Sequence, residues 1–504
     1  MKFEAVEGKN KKFYIKITLE TANDYELISV VDTIVSRTEY FPFMKGFNKN
    51  ITETYLIDET YFPAQFWGDV YKKMKNIFPN LELINSHILY NQTVNKKDFY
   101  EWADNLNLPE YIDLYSDKYA YQLGSVYNAL LFKTARILIA TGGGKTLITY
   151  LYCKYIVDHY LGKDKKILVI VPRKMLVTQT MKEFVDFANG ENDGITIQSI
   201  FAGSKKVENA NIVIGTYQSL TDYYEDFFTD FYTTICDELH TAKSNSIKEG
   251  IYTKTKSEFY LGMTATMPEY KTLDYLNIVA MFGTNVYTKT TKELIDDGNV
   301  CPVFINKVII NYNDLDSQFA TNLKLDIDIT PNEKYRIEKV FFGEHYERTK
   351  LTSKLVNGFE NNFIIMLDSI SYCERLSLHL RENCPNRIIE IITGATSDKE
   401  RERIKNLMEE RDDIVLIGTS SCIATGVSIK NIHHIIFVEG GKGRTRIMQS
   451  TGRGLRLHPK KEFLNIFDFQ DMMPNCSFKN HNKARNKIYD NEKHPSKEFI
   501  VNLK

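Results

Sequence analysis

From residue 131 onward, short aliphatic runs alternate with longer amphipathic segments. "RILIA" is followed by a helical pattern from Gly144 to about Tyr160. "KILVIVP" (166–172) precedes the helical "RKMLVTQTMKEFVDFA", and "NIVIGT" (211–216), "TTICDE" (233–238) and "FYLGMTAT" (259–266) complete the set. Continuous aliphatic runs separated by helix-length segments predict parallel strands in βαβ units, buried on both faces. The pattern restarts after "DGNVCPVF" (297–304) with "NFIIML", "RIIEIIT", "DIVLIGT", "HHIIFVE" and "FLNIFDF", so a second α/β domain follows the first. Between roughly 305 and 360 the chain is charged and reads as helical, outside the sheet.

Residues before about 108 break this rhythm. They are rich in aromatic and β-branched residues, with turns at "MKGFNKN" and "LIDETYFP" and a helix-like "AQFWGDVYKKMKNIF", which predicts a small α+β domain. The expected boundaries are 1–108 for this accessory, DNA-binding domain, 109–300 and 301–474 for the two α/β domains, and 475–504 for a basic C-terminal tail. That tail reads equally as a DNA-binding arm or as a solvated helix packed on the second domain.

Length agrees with this division, since 504 residues exceed one core and suggest about three domains. The 64 basic and 65 acidic residues nearly cancel, so nucleic-acid binding would need local basic surfaces rather than a field over the whole chain. Seven scattered cysteines form no C-x-x-C pair and no even set, which argues against zinc and a disulfide framework. No apolar signal core opens the chain, and no stretch approaches the roughly eighteen apolar residues of a membrane span. The expectation is a soluble, cytoplasmic protein with no membrane partner, in the host cytoplasm if phage-encoded.

The candidate chemistry begins at "LIATGGGKTLITY" (138–150). A phosphate loop must aim backbone N–H groups at oxygen and stand at a helix N-terminus, whose partial positive charge favours an anion. Thr141, Gly142, Gly143 and Gly144 supply that backbone, Lys145 reaches the β- and γ-phosphates, and the Thr146 hydroxyl can ligate Mg²⁺. Ile139 stands where the usual pattern has its first glycine, at a position that merely leaves the strand. Asp237, at the end of "TTICD", would hold Mg²⁺ through its water shell, and Glu238 would polarise the attacking water. The neighbouring His240 reads as a residue of this site or as a surface residue at a helix start. In "MQSTGRGLRLH" (448–458), Arg453 and Arg456 share a helical face and could neutralise transition-state charge; glycines 452 and 454 flank Arg453 at a cost in helix stability.

Taken together, "IATGGGKT", "DELH", "TAT" and "QSTGRGLR" stand in the order of helicase motifs, and the chain resembles a superfamily 2 helicase over about 115–470. "VPRKMLVTQ", "GTYQSL", "FIIMLDSI", "ITGATSDKERERI" and "GTSSCIATGVSIKN" are similar to the intervening motifs. Within the superfamily, "KKDFYEWADNLNLP", "ELIDDGNVCPV" and "NIFDFQD" resemble the UvsW helicases of tailed phages, although the turn "FMKGFNKNITETYLID" lacks the Trp-Asp-Gly expected of them.

The resemblance implies an α/β fold of two tandem RecA-like parallel-sheet domains with a small N-terminal α+β domain, and an ATP- and Mg²⁺-dependent DNA helicase. It implies adenine reading by Gln122, a contact to the ATP sugar or phosphates by Gly426, and arginine fingers at Arg453 and Arg456. Gln449 would connect nucleotide to DNA, and Thr264 and Thr266 would couple hydrolysis to movement. Arg173, Thr216, Gln218, Thr393 and Thr419 would touch the backbone of one strand. The implied partners are single-stranded, forked and four-way DNA, RNA–DNA hybrids in R-loops, and phage recombination or replication proteins, with 3′ to 5′ polarity. Rival readings are a nucleic-acid-stimulated ATPase acting as clamp or sensor, a silent DNA-binding scaffold, and an RNA helicase.

Overall fold

A computed structural model describes the chain apart from residues 9–11, 22–23, 45–46, 163, 191–192, 202–209, 242–247, 271, 420–421, 424–428, 440–451, 453, 477 and 504, with backbone alone at 39–44, 47–50, 241 and 248–249. Two compact units emerge, one of residues 1–140 and 144–290, the other of 141–143 and 291–504.

In the first unit the N-terminal strands β1 (Lys2–Glu7), β2 (Phe13–Thr18), β5 (Tyr61–Pro63) and β6 (Leu83–Ile84) form a sheet in the order β5-β2-β1-β6, and β3 (Ser36–Met44) pairs with β4 (Phe47–Thr54). Alternation decides which face is covered: Phe3, Ala5, Ile15 and Ile17 point into a core completed by the helices Asp24–Val35 and Trp67–Met74. The same core takes in Leu276 and Val279 of the helix Leu273–Phe282, which belongs to the α/β part. Polar ties reinforce this junction: the Tyr55 hydroxyl donates to Asn277 Oδ1 at 2.8 Å and the Tyr275 hydroxyl to Asp69 Oδ2 at 3.2 Å. At Gly68 a Cβ would stand 2.0 Å from Thr284 Oγ1, so this helix sits against its neighbour as closely as backbone allows.

The α/β part is a seven-stranded sheet in the order β13-β7-β12-β11-β8-β10-β9, parallel throughout. Its strands are β7 (Thr134–Ile139), β8 (Lys166–Val171), β9 (Ile197–Ile200), β10 (Ile212–Thr216), β11 (Phe231–Asp237), β12 (Phe259–Thr264) and β13 (Thr284–Lys289). The central runs are buried on both faces, as continuous aliphatic sequence demands.

The second unit repeats the architecture in the order β16-β17-β15-β18-β19-β14-β20, again all parallel. It contains β14 (Val303–Asn311), β15 (Phe363–Leu367), β16 (Ile388–Ile392), β17 (Ile414–Thr419), β18 (His434–Phe437), β19 (Leu464–Asp471) and β20 (Ser496–Asn502). The charged stretch expected to lie wholly outside the sheet in fact opens with β14; the helices Asp314–Leu325, Pro331–Glu344 and Tyr346–Gly358 follow it. The segment expected as a basic tail is built into the unit: Phe478–Asn491 is a helix and β20 pairs with β14. Arg485 of that helix is 1% exposed and bonded to Asp468, so its charge serves the interior rather than a free arm.

Candidate functional site

Because every strand of the first sheet is parallel, all the loops that follow strands gather at one edge. Read across that edge in spatial order, β7 runs into the glycine loop, β12 ends at Thr264, β11 at Asp237, β8 leads to Arg173 and β10 to Thr216 and Gln218. The sheet order thus lays the candidate nucleotide groups beside the candidate strand-contacting groups.

The helix Lys145–His159 starts directly from the loop. Its cap, Gly144, is left-handed at φ 70° and gives no side-chain hydrogen bond, leaving the first N–H groups to an anion. Gly142 is also left-handed, at φ 89°. A Cβ on Gly144 would lie 1.9 Å from Gln122 Nε2, so both conformation and space require glycine there. Gln122 is buried, and its Nε2 donates to the Gly144 carbonyl at 3.5 Å, tying the preceding helix Ala120–Leu130 to the loop. Ile139 is fully buried beneath the loop.

Opposite the loop, Lys145 Nζ lies 3.4 Å from Glu238 Oε1. Glu238 holds this position from a left-handed backbone, φ 54°, a conformation that costs a non-glycine residue about 1 kcal/mol or more. Its N–H donates to Asp237 Oδ1 at 2.9 Å. His240 Nδ1 stands 3.2 Å from Glu238 Oε2 and 3.1 Å from Thr264 Oγ1, while the Thr264 hydroxyl donates to the Thr266 carbonyl at 3.0 Å. Sequence reasoning left His240 open between site and surface; the structure makes it the link between Glu238 and the end of β12.

Burial, reinforced by the neighbouring Glu238 charge, pushes the Asp237 carboxyl up to about 6. Burial presses Glu238 the same way, but Lys145 and His240 outweigh it and hold that carboxylate down at about 2. Lys145 is likewise buried against its charge, and the two carboxylates more than restore it, raising its pKa. The arrangement is a buried, ionised Lys–Glu pair beside an Asp that a cation would stabilise. No cluster of three or more metal-ligating side chains occurs among the described residues. Thr146 and Asp237 offer a hydroxyl and a carboxylate, oxygen donors of the kind that Mg²⁺ takes together with phosphate and water.

The remaining candidates divide by exposure. Arg173 and Gln218 are exposed, each two residues beyond the paired Val171 and Thr216. Thr216 is buried, and its hydroxyl caps the helix Tyr217–Leu220 by accepting from the Ser219 N–H at 3.3 Å. In the second unit, Thr419 ends β17 and Thr393 directly follows the adjacent β16; Thr419 is buried, and Thr393 Oγ1 accepts from the Ala395 N–H at 3.3 Å. Gly426, Gln449 and Arg453 lie outside the described residues. Arg456 is half-buried in a segment anchored by Gly454, whose Cβ would meet Leu464 at 2.6 Å and Ile435 at 3.2 Å. That contact with β18 and β19 is the reason for the second glycine. Sequence reasoning missed Lys461, whose buried ammonium donates to the Gly454 and Lys430 carbonyls, both at 3.0 Å, and holds this segment in place.

Comparison with known proteins decides the family. The Type III restriction enzyme res subunit family matches residues 115–269, and the helicase conserved C-terminal domain matches 347–458. The ATP-dependent DNA helicase uvsW of Enterobacteria phage T4 is 28% identical over 409 residues, covering 79% of this chain and 77% of that protein. The chain is a superfamily 2 helicase resembling UvsW. The helicase is also 26% identical over 371 residues to the type I restriction enzyme EcoAI endonuclease subunit of Escherichia coli, covering 66% of this chain and 43% of that one. Its fold is shared with a fragment of a putative HsdR subunit from Vibrio vulnificus, at a TM-score of 0.56 and 16% identity over 97% of this chain and 88% of the fragment. Superfamily 2 membership makes the enzyme an ATP-dependent helicase and ATPase, and no helix among the described residues is long and apolar enough to cross a membrane.

Proposed function

We propose that this helicase is a DNA motor that runs 3′ to 5′ on one strand and remodels branched DNA, including Holliday junctions, stalled forks and R-loops, in phage recombination, repair and replication. The observation that carries the ATPase part is the buried group formed by Lys145, Asp237 and Glu238 facing an uncapped helix start. Gly142, Gly143 and Gly144 cradle the phosphates, with Thr141 at the mouth of the loop, Lys145 draws charge from the γ-phosphate, and Glu238 orients the attacking water. When bound, Mg²⁺ neutralises phosphate charge, held by Thr146 and Asp237. Once phosphate occupies Lys145, Glu238 is released from its ion pair and is free to accept a hydrogen bond from water. Gln122 supports the adenine end, Gly426 approaches the nucleotide, and Arg453 and Arg456 neutralise the transition state, with Gln449 relaying it to DNA.

The strand-contacting assignments rest on Thr216 and Thr419 at strand ends and on Arg173, Gln218 and Thr393 one or two residues beyond them. Backbone contacts carry little base information, so the substrate is selected by shape and strand polarity. The test is the ATPase rate of the full chain with single-stranded, duplex, forked and four-way DNA and with RNA, beside strand displacement on the same substrates. Stimulation greatest with forked or four-way DNA, together with displacement, is expected. Stimulation by RNA alone, or by DNA without displacement, overturns the reading. Arg453→Ala is expected to retain ATP binding while turnover falls about 10³-fold or more.

A further inference from the structure

A cavity of about 650 Å³ opens in the first unit where the N-terminal domain meets the α/β sheet. It lies beside Thr134 and Thr284, the first residues of β7 and β13, and so at the sheet edge opposite the phosphate loop, about 20 Å away along β7. Its volume falls within the roughly 300–1,000 Å³ of small-ligand sites, and none of the groups assigned to ATP or to strand contact lines it.

The lining is aromatic from both sides. Phe13, Trp67 and Tyr71 come from the N-terminal domain, while Tyr90 and Phe132 face them from the segment that joins the two parts. Trp67 and Tyr71 lie 5.6 Å apart, and Tyr90 and Phe132 pack edge to face at 5.1 Å. Tyr90 nevertheless remains 38% exposed, an unfinished aromatic surface at the mouth. Lys133 contributes the cation, yet it stands 4.5 Å over the Phe13 ring and 3.8 Å from Glu258, while Glu82 adds a carboxylate to the wall. The charge is therefore balanced, which disfavours an isolated phosphate and suits a neutral, flat group. A nucleobase satisfies both features, with π-faces for the aromatics and no charge.

We propose that this cavity takes one unstacked nucleobase from a single strand that the helicase is handling. A duplex covers both faces of each base, so the site distinguishes an opened strand from a closed one. The close seating of the helix Trp67–Met74 at Gly68 keeps the cavity's shape fixed. Stacking on such rings tolerates any sequence.

The test uses the full chain and an oligothymidylate carrying a single 5-iododeoxyuridine, crosslinked by light and mapped by mass spectrometry. Adducts at Trp67, Tyr71, Tyr90 or Phe132 are expected; adducts confined to other aromatic residues overturn the proposal. Tyr90→Ala should weaken single-strand binding about tenfold without changing ATPase in the absence of nucleic acid; unchanged affinity also counts against it. Thymidine monophosphate is the competitor. If it removes the adduct at concentrations where the oligomer stays bound elsewhere, the occupant is a free nucleotide and the strand assignment fails. The proposal rests on the helicase engaging single strands, but adduct position is read independently of ATPase stimulation, so failure of the motor reading and failure of this site are separate results.

Discussion

Lys145 and His240 flank the Glu238 carboxylate, at 3.4 Å from Oε1 and 3.2 Å from Oε2. Lys145→Ala removes a ligand contact rather than a core packing element, so loss of ATP hydrolysis with an unchanged circular dichroism spectrum is expected; normal turnover would refute the site. His240→Ala tests the link seen only in three dimensions. It unties Glu238 from Thr264, and turnover should fall about tenfold with ATP affinity little changed, measured by steady-state ATPase beside nucleotide binding. The glycines, lysine and carboxylates of this site were legible because their chemistry is local to two short segments. His240 was not, because its second partner lies on a neighbouring strand, and Lys461 was not, because backbone carbonyls leave no signature in sequence.

Strand β19 carries two carboxylates into the interior, and each meets an arginine from a helix. Asp471 accepts from Arg348 Nε and Nη2, both at 3.0 Å, and from the Tyr312 hydroxyl at 2.6 Å; Arg348 also donates to the Val438 carbonyl. Asp468 Oδ2 accepts from Arg485 Nε at 3.1 Å within an ion pair that closes to 2.8 Å at Oδ1, and Arg485 Nη2 donates to the Phe469 carbonyl at 2.8 Å. Removing one partner of such a pair leaves a buried charge uncompensated, so Asp471→Ala should cost about 3–5 kcal/mol in urea unfolding of the second unit. A neutral result would mean that the pair is not desolvated in solution. The "NIFDFQD" ending that suggested kinship thus has a structural role, which no inspection of the strand alone could reveal.

Beside β19, His434 of β18 is buried, bonded through Nε2 to the Glu360 carbonyl at 2.8 Å and stacked on Phe363; His433, just before the strand, bonds Asn431 Oδ1 at 3.0 Å. Burial, helped by Lys461 at His433, lowers both to about 4 from 6.5. The unfolded chain takes up these protons near 6.5 and the folded chain only near 4. Stability is therefore complete above 6.5 and is lost as pH falls through that window, by up to roughly 3 kcal/mol for each ring. Melting temperature against pH should show the loss, and His434→Gln should flatten it.

Across the molecule, ten of the fourteen strands of the two sheets stood out as aliphatic runs. The other four escaped for physical reasons. Strands β9, β13 and β20 are sheet edges: β13 and β20 are largely unburied, and β9 is a short, mixed "IQSI", so none needs a continuous apolar run. Strand β14 hides Asn306 and Lys307 in mid-run, both buried, the lysine reaching toward Glu498 of β20 at 3.8 Å. The N-terminal domain was recognisable as α+β, but its shared core with Leu276 and Val279 was not, because the contact joins segments far apart in the chain.

The pairing of β14 with β19 and β20 also constrains how the protein is made. The strand that opens the second sheet must wait beside the ribosome until both late-emerging strands arrive, whereas the first sheet has all its members once residue 289 is out. Nascent chains arrested with the last thirty or so residues inside the exit tunnel should therefore yield protease-resistant fragments from the first unit alone.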